Sequence, residues 1–141
     1  MRSRDALNAP EALVLTMVLV AAADGGISDR EIGTMSGLVQ TLPAFHEFTT
    51  DQFREVTDAA VRLLNEDEGL KHAARLIRSA LTPRLHETAY SLACEVIAGD
   101  ADHAKAASFD MLEFVRDELK IDSLIAAALE RGIRARYTRG E

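Results

Sequence analysis

The chain has 141 residues, a net charge of −7, an apolar fraction of 48% and a charged fraction of 28%. That is one domain's worth of sequence, 1–141, with enough apolar content to fill a core without disulfides or a structural metal. The acidic balance disfavours a nucleic-acid binder, which needs a basic face to neutralise phosphates, and the single Cys94 rules out an intramolecular disulfide and a thiolate zinc cluster.

With no Trp and only 5% aromatics, the core must be aliphatic. Proline occurs at 10, 43 and 83 alone, never inside an apolar-periodic stretch, and no alternating strand pattern is present. The chain therefore reads as all-α, a single compact bundle of about seven helices with short links.

The first helix starts after Asn8, tolerates Pro10 in its first turn and runs to about Ala23. From Ala12 on, Thr16 is its one polar residue, and a helix that is apolar all round must be enclosed all round. At 12 residues this run is too short for a membrane span, which needs about 20. The opening Met1-Arg-Ser-Arg-Asp does not read as a secretory signal. A cytoplasmic protein with one deeply buried helix is expected.

The second helix runs from Ser28 to about Thr41. Ser28 and Glu31 stand at capping-box spacing, and Ile32, Met35, Leu38 and Val39 make its inward stripe. The third begins at Thr49 or Thr50 and buries Phe53, Val56, Ala60, Leu63 and Leu64. Asn65 is expected to cap the fourth, whose first turn would be Glu66-Asp67-Glu68. Thr82-Pro83 opens the fifth, which reaches about Ala98. The sixth covers roughly 104–120 with Met111, Leu112, Val115 and Leu119 inward. Asp122 caps the seventh, which carries Leu124, Ile125, Ala128 and Leu129; Gly132 and the arginines beyond it are expected to fray its end.

Two helix pairs look alike, giving a weak helix-hairpin internal repeat. The first and second helices, and the fifth and sixth, each comprise an apolar helix ending in Ala, an acidic corner and an amphipathic helix. The corners are Ala23-Asp24-Gly25-Gly26 and Ala98-Gly99-Asp100-Ala101-Asp102. Packed around a pseudo-two-fold axis, the two hairpins can bring their corners together.

The first corner spells D-G-x-I-x-x-x-E from Asp24 to Glu31. This matches the last eight positions of an EF-hand calcium loop, where the aspartate and final glutamate bind the ion and the glycine makes the sharp turn. The two earlier ligand positions fall on Val20 and Ala22, which offer no side-chain oxygen, so a complete EF-hand is excluded. A cation at Asp24 and Glu31 would need oxygens from Glu95, Asp100 or Asp102, and such an all-oxygen set suits calcium or magnesium rather than zinc. The same residues have a purely structural reading. Gly25 or Gly26 stops the first helix, Ser28 and Glu31 cap the second, and Asp24 bonds the turn. Glu95 is the one charge between Tyr90 and Ala98 and must find a cation, an Arg or water.

This arrangement resembles the TerB-like tellurite-resistance family. The matching residues are Ala-Ala-Asp24-Gly25-x-Ile27-x-x-x-Glu31-Ile32 after an apolar helix, and Leu92-Ala-x-Glu95-Val-x-Ala-x-Asp100 at the second corner; the likeness runs from about 12 to 129. It implies a roughly seven-helix bundle with acidic residues at two helix–helix corners, a metal site there, and an accessory role in stress response or tellurite resistance. It also implies membrane-associated protein partners and no enzymatic reaction. Related domains occur in DnaJ-like co-chaperones. The second corner departs from the pattern: it lacks a glycine directly after Asp100 and a Glu to match Glu31.

Other chemistry is sparse. The four histidines are not at zinc-ligand spacing; His86-Glu87-Thr-Ala-Tyr90 starts like H-E-x-x-H but ends in Tyr. His103, beside the second corner, could ligate a softer metal. Cys94 reads as a small buried hydrophobe. The Gly25-Gly26 pair is flanked by Asp24 and Asp29, which would repel a phosphate. Arg131, Arg134, Arg136 and Arg139 suit a helix C-terminal end, or an acidic partner or lipid. Three readings follow: a non-enzymatic protein-binding module, a divalent-metal sensor or buffer, and a hydrolase using Asp24 and Glu31 as paired carboxylates. The last lacks a nucleophile, a phosphate loop and an oxyanion device.

Overall fold

The computed structural model describes residues 6–140, and its order follows the sequence: α1 (Ala9–Ala21), α2 (Asp29–Thr41), α3 (Thr50–Leu64), α4 (Gly69–Ala80), α5 (Pro83–Ala98), α6 (Ala106–Glu118) and α7 (Ser123–Arg136). Short 3-10 turns at Pro43–Phe45 and Ala101–His103 complete it; no strand occurs among the described residues.

α1 is the central rod. Every residue from Ala12 to Ala21 is buried, and α2, α3, α4, α5 and α6 all pack against it. Each buried Leu or Val contributes about 1.5–3 kcal/mol, so this one helix carries much of the hydrophobic stabilisation. Its polar exception costs nothing unpaired: Thr16 donates its hydroxyl to the Ala12 carbonyl at 2.8 Å. Asn8 and Glu11 form a reciprocal capping box at its start.

The repeat is visible in the packing. α1 and α5 lie against each other, α2 lies on α5, and α6 lies on α1. This is the exchange of neighbours that a pseudo-two-fold relation between the α1–α2 and α5–α6 hairpins requires. α2 approaches α5 closely at Gly99, where an added Cβ would sit 2.4 Å from Thr34 Oγ1.

Four boundaries differ from the sequence reading. α1 ends at Ala21, and Gly25 makes the corner with φ of 105°. Asn65 does not cap α4 but closes α3, and the chain turns through Glu68 at φ 59° before α4 begins at Gly69. The reason is steric: a Cβ at 69 would lie 2.2 Å from the Leu63 carbonyl oxygen, so the tight passage past the end of α3 fixes the start of α4 at the glycine. α6 starts at Ala106, because the Ala101–His103 turn uses the preceding residues.

α7 departs furthest. It does not fray at Gly132 but continues to Arg136. Ala126 and Ile133 are the buried residues; Ala128 is exposed and Leu124 is 77% exposed. Of the apolar residues that α7 carries, Leu129 is partly buried against the core whereas Leu124, Ile125 and Ala128 are exposed, since α7 packs chiefly on α5.

Candidate functional site

The two acidic corners meet. Ser28 opens α2 and Asp100 follows α5, yet Ser28 Oγ donates to Asp100 Oδ2 at 2.9 Å across 72 residues of sequence. The other Asp100 oxygen lies 2.9 Å from His103 Nδ1. Burial alone would raise the Asp100 carboxyl, but the bonds from Ser28 and His103, helped by the His103 and Arg30 charges, outweigh it and hold the group below the usual carboxylate value.

The remaining carboxylates of the expected metal set have distinct positions. Glu31 points back along its own helix: its Oε1 accepts from the Ser28 backbone N–H at 2.8 Å while Ser28 Oγ accepts from the Glu31 N–H at 3.0 Å, a complete capping box. Asp102 accepts from Arg139 at 3.2 Å, both side chains exposed. Asp24 is half-buried beside the Gly25 turn. Glu95, buried at 3% exposure, turns to α7, where Tyr137 donates its hydroxyl at 2.9 Å and Arg136 Nη1 lies at 3.0 Å. Burial, and then the bond to Glu95, push the Tyr137 phenol up. Thus Ser28 joins the two corners through Asp100, whereas Glu95 belongs to a separate junction with the end of α7. No group of three or more His, Cys, Asp and Glu side chains is arranged to hold a metal ion among the described residues.

A second feature lies on the α7 side. An open groove of about 670 Å³ runs between α6 and α7, with Tyr90, Cys94, Ile97 and Ala98 of α5 at its base. Its volume falls within the range of ligand-sized sites. Phe109 on α6 and Tyr137 at the end of α7 line it and are 53% and 38% exposed. The α6 side carries Asp110, Glu113 and Arg116, the last two paired at 3.4 Å; the α7 side carries Arg134 and, near the base, Glu130. Tyr90 donates its hydroxyl to Glu130, and burial followed by that bond drives the phenol well above its ordinary range. Burial, with the Glu130 charge adding to it, pushes the Cys94 thiol up to about 12. At neutral pH the thiol is therefore protonated, a poor nucleophile and a poor metal ligand.

No family model, no curated protein and no solved structure matches the chain.

The sequence reading named the corner acids but not the groove. Tyr90, Phe109, Glu130 and Tyr137 come from three helices, and no spacing rule links them. One signal was available: Glu95, a lone charge on an apolar helix, demands a buried partner, and arginines cluster near the C-terminal end. Among the described residues no helix is long and apolar enough to cross a membrane.

Proposed function

We propose that this chain is a non-enzymatic accessory module of a stress response, of the TerB-like tellurite-resistance kind, acting in the cytoplasm by docking a protein partner that is itself membrane-associated. The observation that carries this reading is the groove between α6 and α7. It combines an apolar base with two exposed aromatic rims, the composition of a protein-recognition surface. The corner carboxylates support it from the other direction, since Glu31 is engaged in capping its own helix and Asp100 in tying the start of α2 to the end of α5.

A second reading, a sensor or buffer for calcium or magnesium, is favoured by the meeting of the two corners at Ser28 and Asp100. On that reading the ion recruits Asp24, Asp100 and Asp102 by releasing His103 and Arg139.

The two are separated by tellurite survival of host cells lacking their own copy of this protein. Complementation by wild type should be lost with Phe109→Asp, whose side chain is exposed and whose fold should persist, and kept with Asp24→Asn. Loss with Asp24→Asn and retention with Phe109→Asp would overturn the docking reading in favour of the ion.

A further inference from the structure

We propose that α7 is a releasable strap: it leaves α5 as a unit while α1 to α6 stay folded, and Glu95 is the latch that sets how often it does so. The proposal goes beyond the docking reading and stands or falls apart from it.

The first observation is how little apolar surface holds α7. It packs chiefly on α5. Ala126 and Ile133 are its buried side chains, and Leu129 is partly buried against the core. α1, by contrast, buries every residue from Ala12 to Ala21 and packs against α2 to α6. Apolar burial is the main source of local stability, so α7 lies at the low end of the range over which parts of one fold open separately. Its joint to the rest suits such opening. The link from α6 turns through Lys120 at φ 53°, and its backbone bonds, Lys120 to Asp117 and Ile121 to Arg116, return to α6. Asp122 then caps α7 with its own side chain, accepting from the Leu124 and Ile125 N–H groups at 3.0 and 3.3 Å, so the cap travels with the helix.

The second observation is that the far end is held by polar bonds, each with one partner on α7 or its tail and the other on the body. Arg136 and Tyr137 meet Glu95 of α5 at 3.0 and 2.9 Å, Glu130 accepts from Tyr90, and Arg139 reaches Asp102 at 3.2 Å. Glu95 is the buried charge of the set, and both of its partners sit on the end of α7. Withdrawal of that end readmits water to the carboxylate, so release hydrates Glu95 instead of stranding it buried and unpaired. The body thus carries a charge that is satisfied in two positions of the strap: by Arg136 and Tyr137 when closed, by water when open. Closed molecules are the great majority, so Cys94, one residue before Glu95, stays shielded from rapid modification.

The test is native-state amide hydrogen exchange of the full chain, read by mass spectrometry on peptides from α7 and α1, for wild type and two variants. A 14-residue helix is marginal by itself in water, so the α7 amides exchange once the strap leaves α5. In wild type the middle turns of α7 should exchange about 100-fold or more faster than α1, whose amides wait for global unfolding. Arg136→Ala weakens the latch and should speed α7 about tenfold or more, and α1 by a similar factor, because it destabilises the closed state against both the open and the unfolded one. Phe53→Leu alters a buried side chain of α3, which packs on α1, α2 and α4; it should speed α1 about tenfold and leave α7 unchanged, since α3 stays folded when the strap opens. Exchange of α7 and α1 at one common rate, or acceleration of both by Phe53→Leu, would overturn the strap. Exchange of α7 indifferent to Arg136→Ala would overturn the latch. None of these results bears on the docking reading, which fails separately if Phe109→Asp leaves tellurite survival intact.

Discussion

Glu95 shows how one residue's desolvation can set the end of a helix. A buried carboxylate must be paired, and here the pairing is done by Arg136 and Tyr137, the last residue of α7 and its cap. The guanidinium also lies 5.8 Å from the Tyr137 ring centre, so the three groups support one another. Arg136→Ala should therefore cost about 1–3 kcal/mol in urea unfolding, because it strips a partner from a buried charge. Arg139→Ala, which breaks the exposed pair with Asp102, should cost less than about 0.5 kcal/mol. Equal losses would contradict the assignment of Glu95 as the anchor. Cys94 gives a second expectation at this scale: with its thiol pushed up to about 12 and its side chain buried, it should resist thiol reagents at pH 8 until the protein is unfolded. Rapid labelling of the native protein would mean that the base of the groove opens more readily than its packing indicates.

At the scale of elements, the α1–α2 and α5–α6 hairpins are tied at their corners by a hydrogen bond from a cap residue. Ser28 both caps α2 and donates to Asp100, so Ser28→Ala removes two interactions and should destabilise by about 1–2 kcal/mol. The Asp100 contribution is pH-dependent with a definite sign. Its carboxyl is held lower in the folded protein than in the unfolded chain, so the unfolded state binds more protons as pH falls. The stabilisation is complete above about pH 4 to 5, the unfolded range, and disappears as pH drops through the depressed folded value. The stability gap between wild type and Asp100→Asn should accordingly be largest at neutral pH and close in strong acid; a gap that widens on acidification would refute the arrangement. Close helix approach is testable beside it. Gly99→Ala drives a Cβ against Thr34 and should cost about 1–3 kcal/mol, with much of the loss recovered in a Thr34→Ala background.

The same scale shows what the sequence could and could not disclose. α1 was legible because a helix without a polar face has only one place to go, and the starts of α2 and α5 were legible because Ser28, Glu31 and Thr82 carry local capping chemistry. The start of α4 was not, because Asn65 is an acceptable cap by type and the real determinant is a backbone clash at Gly69 with the end of α3. The phase of α7 was hidden for a related reason. Apolar residues stand all round its first half, and only packing in the fold buries Ala126, Leu129 and Ile133 while leaving Leu124 out. The corner acids were recognisable as a group, but the sorting of Glu95 to Arg136 and Asp100 to Ser28 depends on contacts 41 and 72 residues apart. The groove, assembled from α5, α6 and α7, has no linear signature at all.

For the whole molecule, α2, α5 and α6 of the two hairpins pack on α1, and α3 and α4 complete its cover. α7 stands outside that plan, attached to α5 by two buried residues and by the Glu95 and Glu130 contacts. The groove is bordered by this outer helix, which is why docking is proposed for its side of the molecule and scaffolding for the corners. The assignment meets its most direct test in calorimetric titration of the intact protein with calcium, magnesium, manganese and zinc, combined with thermal melting. Corner carboxylates that serve as helix joints should give no saturable heat and no rise in melting temperature with any of the four. Micromolar binding that raises the melting temperature and is abolished by Asp24→Asn would contradict this, and would make the corners the functional centre instead.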